Sequence, residues 1–183
     1  MLWWCKCTQL DLSTCHNLET IDLKFGEITL KRNALNGLAQ LKKLELCWCK
    51  CTQLNLSSCH NLETIDLAGT FSLHDEGITL QPNAFHRLAQ LKMLKLEGCE
   101  CKSMDLSLCQ SLETLDLIGD RIRLQPNALH GLAQLKKLKL EGFECKLLDL
   151  SQCPNLKTIH LCNRITLKPN TFHGLAQLKI LNI

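Results

Sequence analysis

The sequence predicts an α/β solenoid, a right-handed superhelix with a curved parallel β-sheet on its concave face and short turns or 3-10 segments on its convex face. Three observations carry this. Residues 101–144, CKSMDLSLCQSLETLDLIGDRIRLQPNALHGLAQLKKLKLEGFE, recur 50 residues earlier from Cys51, 44 further back from Cys7, and 44 later from Cys145. Self-similarity at a fixed period marks a stack of like units. Within the unit, the pattern L-x-x-L/I-x-L opens at Leu18, Leu41, Leu62, Leu91, Leu112, Leu135, Leu156 and Leu178, at spacings of 23, 21, 29, 21, 23, 21 and 22. In Leu18-Glu19-Thr20-Ile21-Asp22-Leu23, apolar Ile21 and Leu23 alternate with Thr20, Asp22 and Lys24, the period of a half-buried strand.

Taken in order, the first strand lies within residues 18–23, and its counterparts at 44–46, 65–67, 94–96, 115–117, 138–140, 159–161 and 181–183. They are expected to stack in parallel about 4.8 Å apart. The connections alternate between two kinds, both too short for long helices. In Ile122-Arg123-Leu124-Gln125-Pro126-Asn127-Ala128-Leu129, proline stands where a short helical turn would begin, and His130-Gly131-Leu132 leads to the next strand. The other return, Leu106-Ser107-Leu108-Cys109, is shorter still.

Periods of roughly 20–29 residues carrying L-x-x-L-x-L-x-x-N/C-x-L are the leucine-rich repeat signature, and the chain resembles that family over essentially its whole length. Asn83-Ala84-Phe85-His86-Arg87-Leu88 and Asn170-Thr171-Phe172-His173-Gly174-Leu175 are similar to the x-x-A-F-x-G-L segment of animal extracellular members of the Toll-like, Slit-like and chaoptin-like kinds. The C-x-N-L-E-T-L-D-L segment is shorter and richer in cysteine, and more loosely resembles the cysteine-containing repeats of F-box adaptors. The resemblance implies a protein-recognition scaffold, in a cell-surface or secreted receptor or adhesion protein, or alternatively in an intracellular adaptor such as a ubiquitin-ligase substrate-recognition arm.

The 183 residues read as one domain of about eight rungs, and 45% of them are hydrophobic, which supports a continuous core. The net charge of +3 comes from 21 basic and 18 acidic residues spread through the units, so no nucleic-acid footprint is indicated. No apolar run reaches the roughly 18 residues a membrane span needs. The stretch MLWWCKCTQLDLS lacks the apolar core, roughly 7–15 residues, of a secretory signal. Met1 falls in mid-repeat, Ile183 stops on residues that open a strand, and neither end carries a polar cap. A fragment of a longer protein is expected, or a chain that needs neighbours at both ends.

Thirteen cysteines invite a metal or disulfide, and the repeat argues otherwise for eleven. Cys5, Cys49 and Cys99 take the N/C position of the signature; Cys7, Cys51, Cys101 and Cys145 replace an inward aliphatic. Cys15, Cys59, Cys109 and Cys153 stand where alternate rungs have Leu38, Leu88, Leu132 and Leu175. Buried thiols behaving as small hydrophobes are expected. Equivalent cysteines recur every second rung, roughly 10 Å apart, beyond disulfide reach. A pair within one rung, such as Cys51 with Cys59, stays open, and the odd total leaves at least one thiol unpaired in a monomer. No C-x-x-C occurs, so no four-ligand zinc site is expected, nor any cofactor. No G-x-S-x-G, Walker loop, H-E-x-x-H or dinucleotide fingerprint is present, and catalysis is not expected.

The concave face is the expected site for a protein ligand. Its middle positions run Asp22, Glu45, Asp66, Lys95, Asp116, Lys139, His160 and Asn182. Lys95, Asp116 and Lys139 would pair across adjacent strands for a few tenths of a kcal/mol each. Two features are not demanded by the repeat. Between Leu67 and Ile78 the chain is six residues longer than between Leu23 and Ile28, which places Phe71, His74 and Asp75 in an insertion at 68–77; insertions map to loops on one face, often the binding face. Trp48 occupies a position filled by Gly98 and Gly142 in later units, and an exposed tryptophan there would anchor an interface. Asn55-Leu56-Ser57 forms a glycosylation acceptor motif.

Overall fold

The computed structural model describes residues 5–24, 26–69, 77–162 and 164–183. Among them the chain order is β1 (Cys5–Leu10), β2 (Thr20–Leu23), β3 (Gly26–Leu30), β4 (Lys43–Cys47), β5 (Cys51–Leu54), β6 (Thr64–Ala68), β7 (Ile78–Leu80) and β8 (Met93–Glu97). The second half continues with β9 (Cys101–Met104), β10 (Thr114–Ile118), β11 (Ile122–Leu124), β12 (Lys137–Glu141), β13 (Cys145–Leu148), β14 (Thr158–Cys162), β15 (Ile165–Leu167) and β16 (Ile180–Asn182).

The even-numbered strands are those the alternation predicts. They make one parallel sheet in rung order, β2-β4-β6-β8-β10-β12-β14-β16. Register holds without a slip: Ile21, Leu44, Ile65, Leu94, Leu115, Leu138, Ile159 and Leu181 are successive partners. A one-residue slip would turn the whole apolar set outward, and here Leu44, Leu46, Ile65, Leu67, Leu94 and Leu96 are fully buried. Each such side chain is worth about 1.5–3 kcal/mol. The chain is therefore a parallel β-solenoid of about eight turns.

The expected helical component does not form among the described residues. The returns are isolated turns closed by three-residue bonds: Ala128 N–H to Gln125 O (3.1 Å), His130 N–H to Asn127 O (2.9 Å), Cys109 N–H to Leu106 O (2.8 Å). A helix must cover a costly nucleus by propagating, and a rung this short brings the chain back to the sheet first. Part of each return is instead a short strand, which alternation over three to six residues does not announce. The odd-numbered strands pair two by two in parallel, β1 with β3, β5 with β7, β9 with β11 and β13 with β15.

The cysteine columns follow the repeat, with exceptions at the first rung. Cys49, Cys51, Cys59, Cys99, Cys101, Cys109, Cys145 and Cys153 are buried and unpaired, whereas Cys7 is half-buried and Cys15 exposed. Those two belong to the first described rung, which has a described rung on one side only. The thiols of Cys59, Cys109 and Cys153 donate to the carbonyls of Leu35, Phe85 and Leu129 at 3.5–3.6 Å. Leucine in the alternate rungs makes no such bond, so sulfur here both fills space and ties one rung to the previous one.

Candidate functional site

On the solvent side of the eight-stranded sheet, three columns run across the rungs in register. The middle column is Asp22, Glu45, Asp66, Lys95, Asp116, Lys139, His160 and Asn182, one residue per strand. Before it run Thr20, Lys43, Thr64, Met93, Thr114, Lys137, Thr158 and Ile180; after it, over β4 to β14, run Cys47, Ala68, Glu97, Ile118, Glu141 and Cys162. The structure thus brings seven of the expected binding residues onto one line. The third column lies outside the expected set, although the same two-residue step places it beside the second.

The ion pairs differ from those expected. Lys95 and Lys139 do not bond Asp116. Lys95 Nζ lies 3.8 Å from Asp66 and 3.9 Å from Glu97, and Lys139 Nζ lies 3.2 Å from Glu141. Two residues along one strand put both charges on the same face, so Lys139 turns along its own strand toward the third column, while Lys95 sits between Asp66 on the neighbouring strand and Glu97 on its own. Asp116 Oδ1 is left buried with no hydrogen bond among the described residues. Burial pushes the Asp116 carboxyl up, against the opposing pull of Lys139 and Lys95. Further rung-to-rung pairs form one position before the sheet begins: Lys42 with Glu19 at 3.0 Å, Lys92 with Glu63 at 2.7 Å, and Lys136 with Glu113 at 2.7 Å.

At the other end of the column, Glu45 is held by Lys24 and, at 2.8 Å, by Lys43. Its side chain is only 12% exposed, and the Lys24 bond, then the Lys43 bond, brings its carboxyl down to about 2. Over β10, β12 and β14 a hollow of about 340 Å³ opens, lined by Thr114, Asp116, Lys137, Lys139, Thr158 and His160. Asn182 Nδ2 closes its far side at 2.8 Å from His160 Nδ1. The face is fixed by backbone ladders and carries both signs of charge, and its arrangement can hydrogen-bond and ion-pair a partner.

Trp48 stands apart from the column, just past β4. It is 53% exposed, and its N–H donates to Ala68 O at 2.7 Å, which sets it beside the root of the 68–77 insertion. Its φ is +58°, matching Gly98 at +63° and Gly142 at +88°. The substitution for glycine therefore keeps a left-handed backbone that bulky residues avoid. At the same root a Cβ on Gly69 would come within 2.5 Å of Gly98 O, so only glycine fits there. Phe71, His74 and Asp75 lie outside the described residues. Asn55 is half-buried, and its Oδ1 accepts from Ser57 N–H at 2.9 Å, the turn that Asp105 and Asp149 make with Ser107 and Ser151.

No family profile matches the chain, and no curated protein matches it in sequence. Solved structures do. A leucine-rich repeat protein of Leptospira interrogans is similar at 24% identity and a TM-score of 0.58, over 92% of this chain and 49% of that one. TLR13 in complex with ssRNA13 is similar at 18% identity and a TM-score of 0.68, over 97% of this chain and 31% of the receptor. The ectodomain of the plant membrane receptor kinase GASSHO1/SCHENGEN3 of Arabidopsis thaliana, in complex with CASPARIAN STRIP INTEGRITY FACTOR 2, is similar at 15% identity and a TM-score of 0.68, over 96% of this chain and 26% of that one. The chain spans half or less of the length of each. Its repeat period, its parallel sheet in rung order and these likenesses agree: the chain has the leucine-rich repeat fold.

Proposed function

We propose that the chain is a non-catalytic protein-recognition scaffold, part of a cell-surface or secreted receptor or adhesion protein, which binds a protein partner through the concave sheet face and the 68–77 segment. The observation that carries this is the middle column. Seven ionisable side chains stand in register on consecutive strands of the sheet, and one of them, Asp116, has a buried oxygen with no hydrogen bond among the described residues. Side chains on a rigid sheet lose little freedom when a partner docks, and a fixed pattern of both charges selects against wrong partners. Trp48, exposed beside the insertion, supplies an aromatic anchor. The fold shared with two receptor structures supports the receptor setting.

The test is affinity enrichment from the source tissue with wild type, with the triple variant Asp66→Asn, Lys95→Gln, Asp116→Asn, and with a control variant Lys31→Gln, Lys102→Gln on the returns. Proteins held by wild type and control but lost from the triple variant support the concave site. An unchanged set with the triple variant contradicts it.

One observation favours the alternative setting, an intracellular adaptor such as a ubiquitin-ligase substrate-recognition arm. All cysteines among the described residues outside β1's first position are unpaired, and unpaired thiols persist in reducing compartments. Alkylation after unfolding in denaturant without reductant, followed by intact mass, separates the two: full alkylation supports the adaptor, and mass deficits from disulfides support the receptor.

A further inference from the structure

The odd-numbered strands form a second ladder, and a break in it makes a groove. Between β3 and the residue entering β5, Leu30 N–H donates to Lys50 O (2.9 Å) and Lys50 N–H to Ile28 O (2.9 Å). The pair recurs between β7 and the residue entering β9: Leu80 N–H to Glu100 O (2.8 Å) and Glu100 N–H to Ile78 O (2.9 Å). The next repetition would join Leu124 with Glu144 and Glu144 with Ile122, and among the described residues neither bond forms. Arg123 instead donates from Nη1 to the carbonyls of Ile122 (2.9 Å) and Asp120 (2.7 Å). A cavity of about 300 Å³ opens between β11 and β13.

Three departures from the repeat meet at this break. Arg123 stands where other units have Thr29, Thr79 and Thr166; Phe143 where they have Cys49 and Cys99; Leu147 where they have Gln9, Gln53 and Ser103. The Cys49 thiol bonds the carbonyls of Leu23 and Cys47 at 3.8 and 3.7 Å, and the Cys99 thiol bonds those of Leu67 and Glu97 at 3.6 Å. These bonds fix the turn that delivers Lys50 and Glu100 to the ladder. Phe143 is buried, larger, and has no donor, so the turn before Glu144 takes another path. Leu147 is 55% exposed in a slot the repeat otherwise keeps polar.

The charge left in the groove is positive. Glu144 pairs with Lys146 at 3.1 Å and Asp149 with Lys168 at 3.2 Å, while no described carboxylate pairs with Arg123. We propose that this groove is a second binding site, independent of the sheet face, and that it takes an extended peptide bearing an acidic side chain next to an apolar one. The peptide backbone meets the open Leu124 N–H and the open Glu144 N–H and carbonyl, as in strand addition. Its carboxylate meets the Arg123 guanidinium, which is built for that geometry. Its apolar side chain covers Leu147 and Pro126. The volume lies at the low end for ligand pockets, about 300–1,000 Å³, and suits a few residues rather than a folded surface.

Random heptapeptides displayed on phage test this, selected on the whole chain with Arg123→Thr, Leu147→Gln as counter-target. Both substitutions restore side chain types the repeat uses at these positions. The expected peptides carry Asp or Glu beside an apolar residue and bind wild type about tenfold more tightly than the variant. They shift the amide resonances of Leu124, Glu144 and Leu147. Those wild-type shifts locate the site even where the variant loses stability. Peptides that bind both chains equally, peptides that shift Asp66 and Lys95 instead, or a selection without enrichment overturn the proposal.

Discussion

Asp116 and Lys139 are register partners on adjacent strands, yet Lys139 bonds Glu141 at 3.2 Å and Asp116 Oδ1 is buried without a hydrogen bond among the described residues. Folding raises the Asp116 carboxyl, chiefly by burial. A carboxylate raised on folding costs stability above its ordinary pKa, and the cost fades as pH falls through the folded value toward the unfolded one. Asp116→Asn is therefore expected to match or exceed wild type in urea unfolding at pH 7, with any advantage shrinking in acid, while partner binding weakens. A clear loss of stability at pH 7 would show that Asp116 is held by interactions it does not display.

Glu45 behaves with the opposite sign. Its carboxyl is lowered from 4.5 to about 2 by Lys24 and then Lys43. Its contribution is present above 4.5 and is lost as pH falls from there toward 2. Asp149, lowered to about 2 chiefly by the Ser151 hydroxyl, loses its contribution in the same acid window. Unfolding curves taken between pH 7 and pH 2 should show wild type losing stability over that window more steeply than Glu45→Gln. Parallel curves would contradict the ion pair.

Thiol reactivity should divide by burial. Desolvation pushes Cys99 and Cys109 up to about 12, and Cys49, Cys51, Cys59 and Cys153 to about 11, so they hold almost no thiolate at pH 8. Exposed Cys15 and Cys162 should be alkylated first. Peptide mass spectrometry after brief iodoacetamide treatment reads the order; early modification of Cys99 or Cys109 would contradict the packing.

Trp48 tests whether a departure from the repeat serves binding. A left-handed backbone costs a bulky residue about 1–2 kcal/mol, and glycine holds it freely at the equivalent positions. Trp48→Gly relieves that strain and gives up the packing of a half-exposed ring, so unfolding free energy should move by less than about 1 kcal/mol. Partner affinity should fall. A large loss of stability with affinity intact would make Trp48 a structural cover.

The sheet was legible because its signal repeats: one leucine spacing and one alternation, seen eight times, fix register and every column on its face. The returns were less so. A three-residue strand such as Ile122-Arg123-Leu124 has too little length to show a period, and Pro126 is as compatible with an isolated turn as with a helix start. The column residues were readable; their partners were not. Spacing says that Asp116 lies between Lys95 and Lys139, but which way a lysine turns depends on Glu97 and Glu141, two positions along each strand. The groove at Arg123, Phe143 and Leu147 was written as three substitutions, and only the fold places them together.

The most direct test of the central claim is hydrogen–deuterium exchange on the chain with and without its bound partner. The account predicts slower exchange on saturation over residues 64–68, 93–97 and 114–118, with Asp66, Lys95 and Asp116 at the centre. Protection confined to the returns, or none on the sheet at saturation, would contradict recognition through this face.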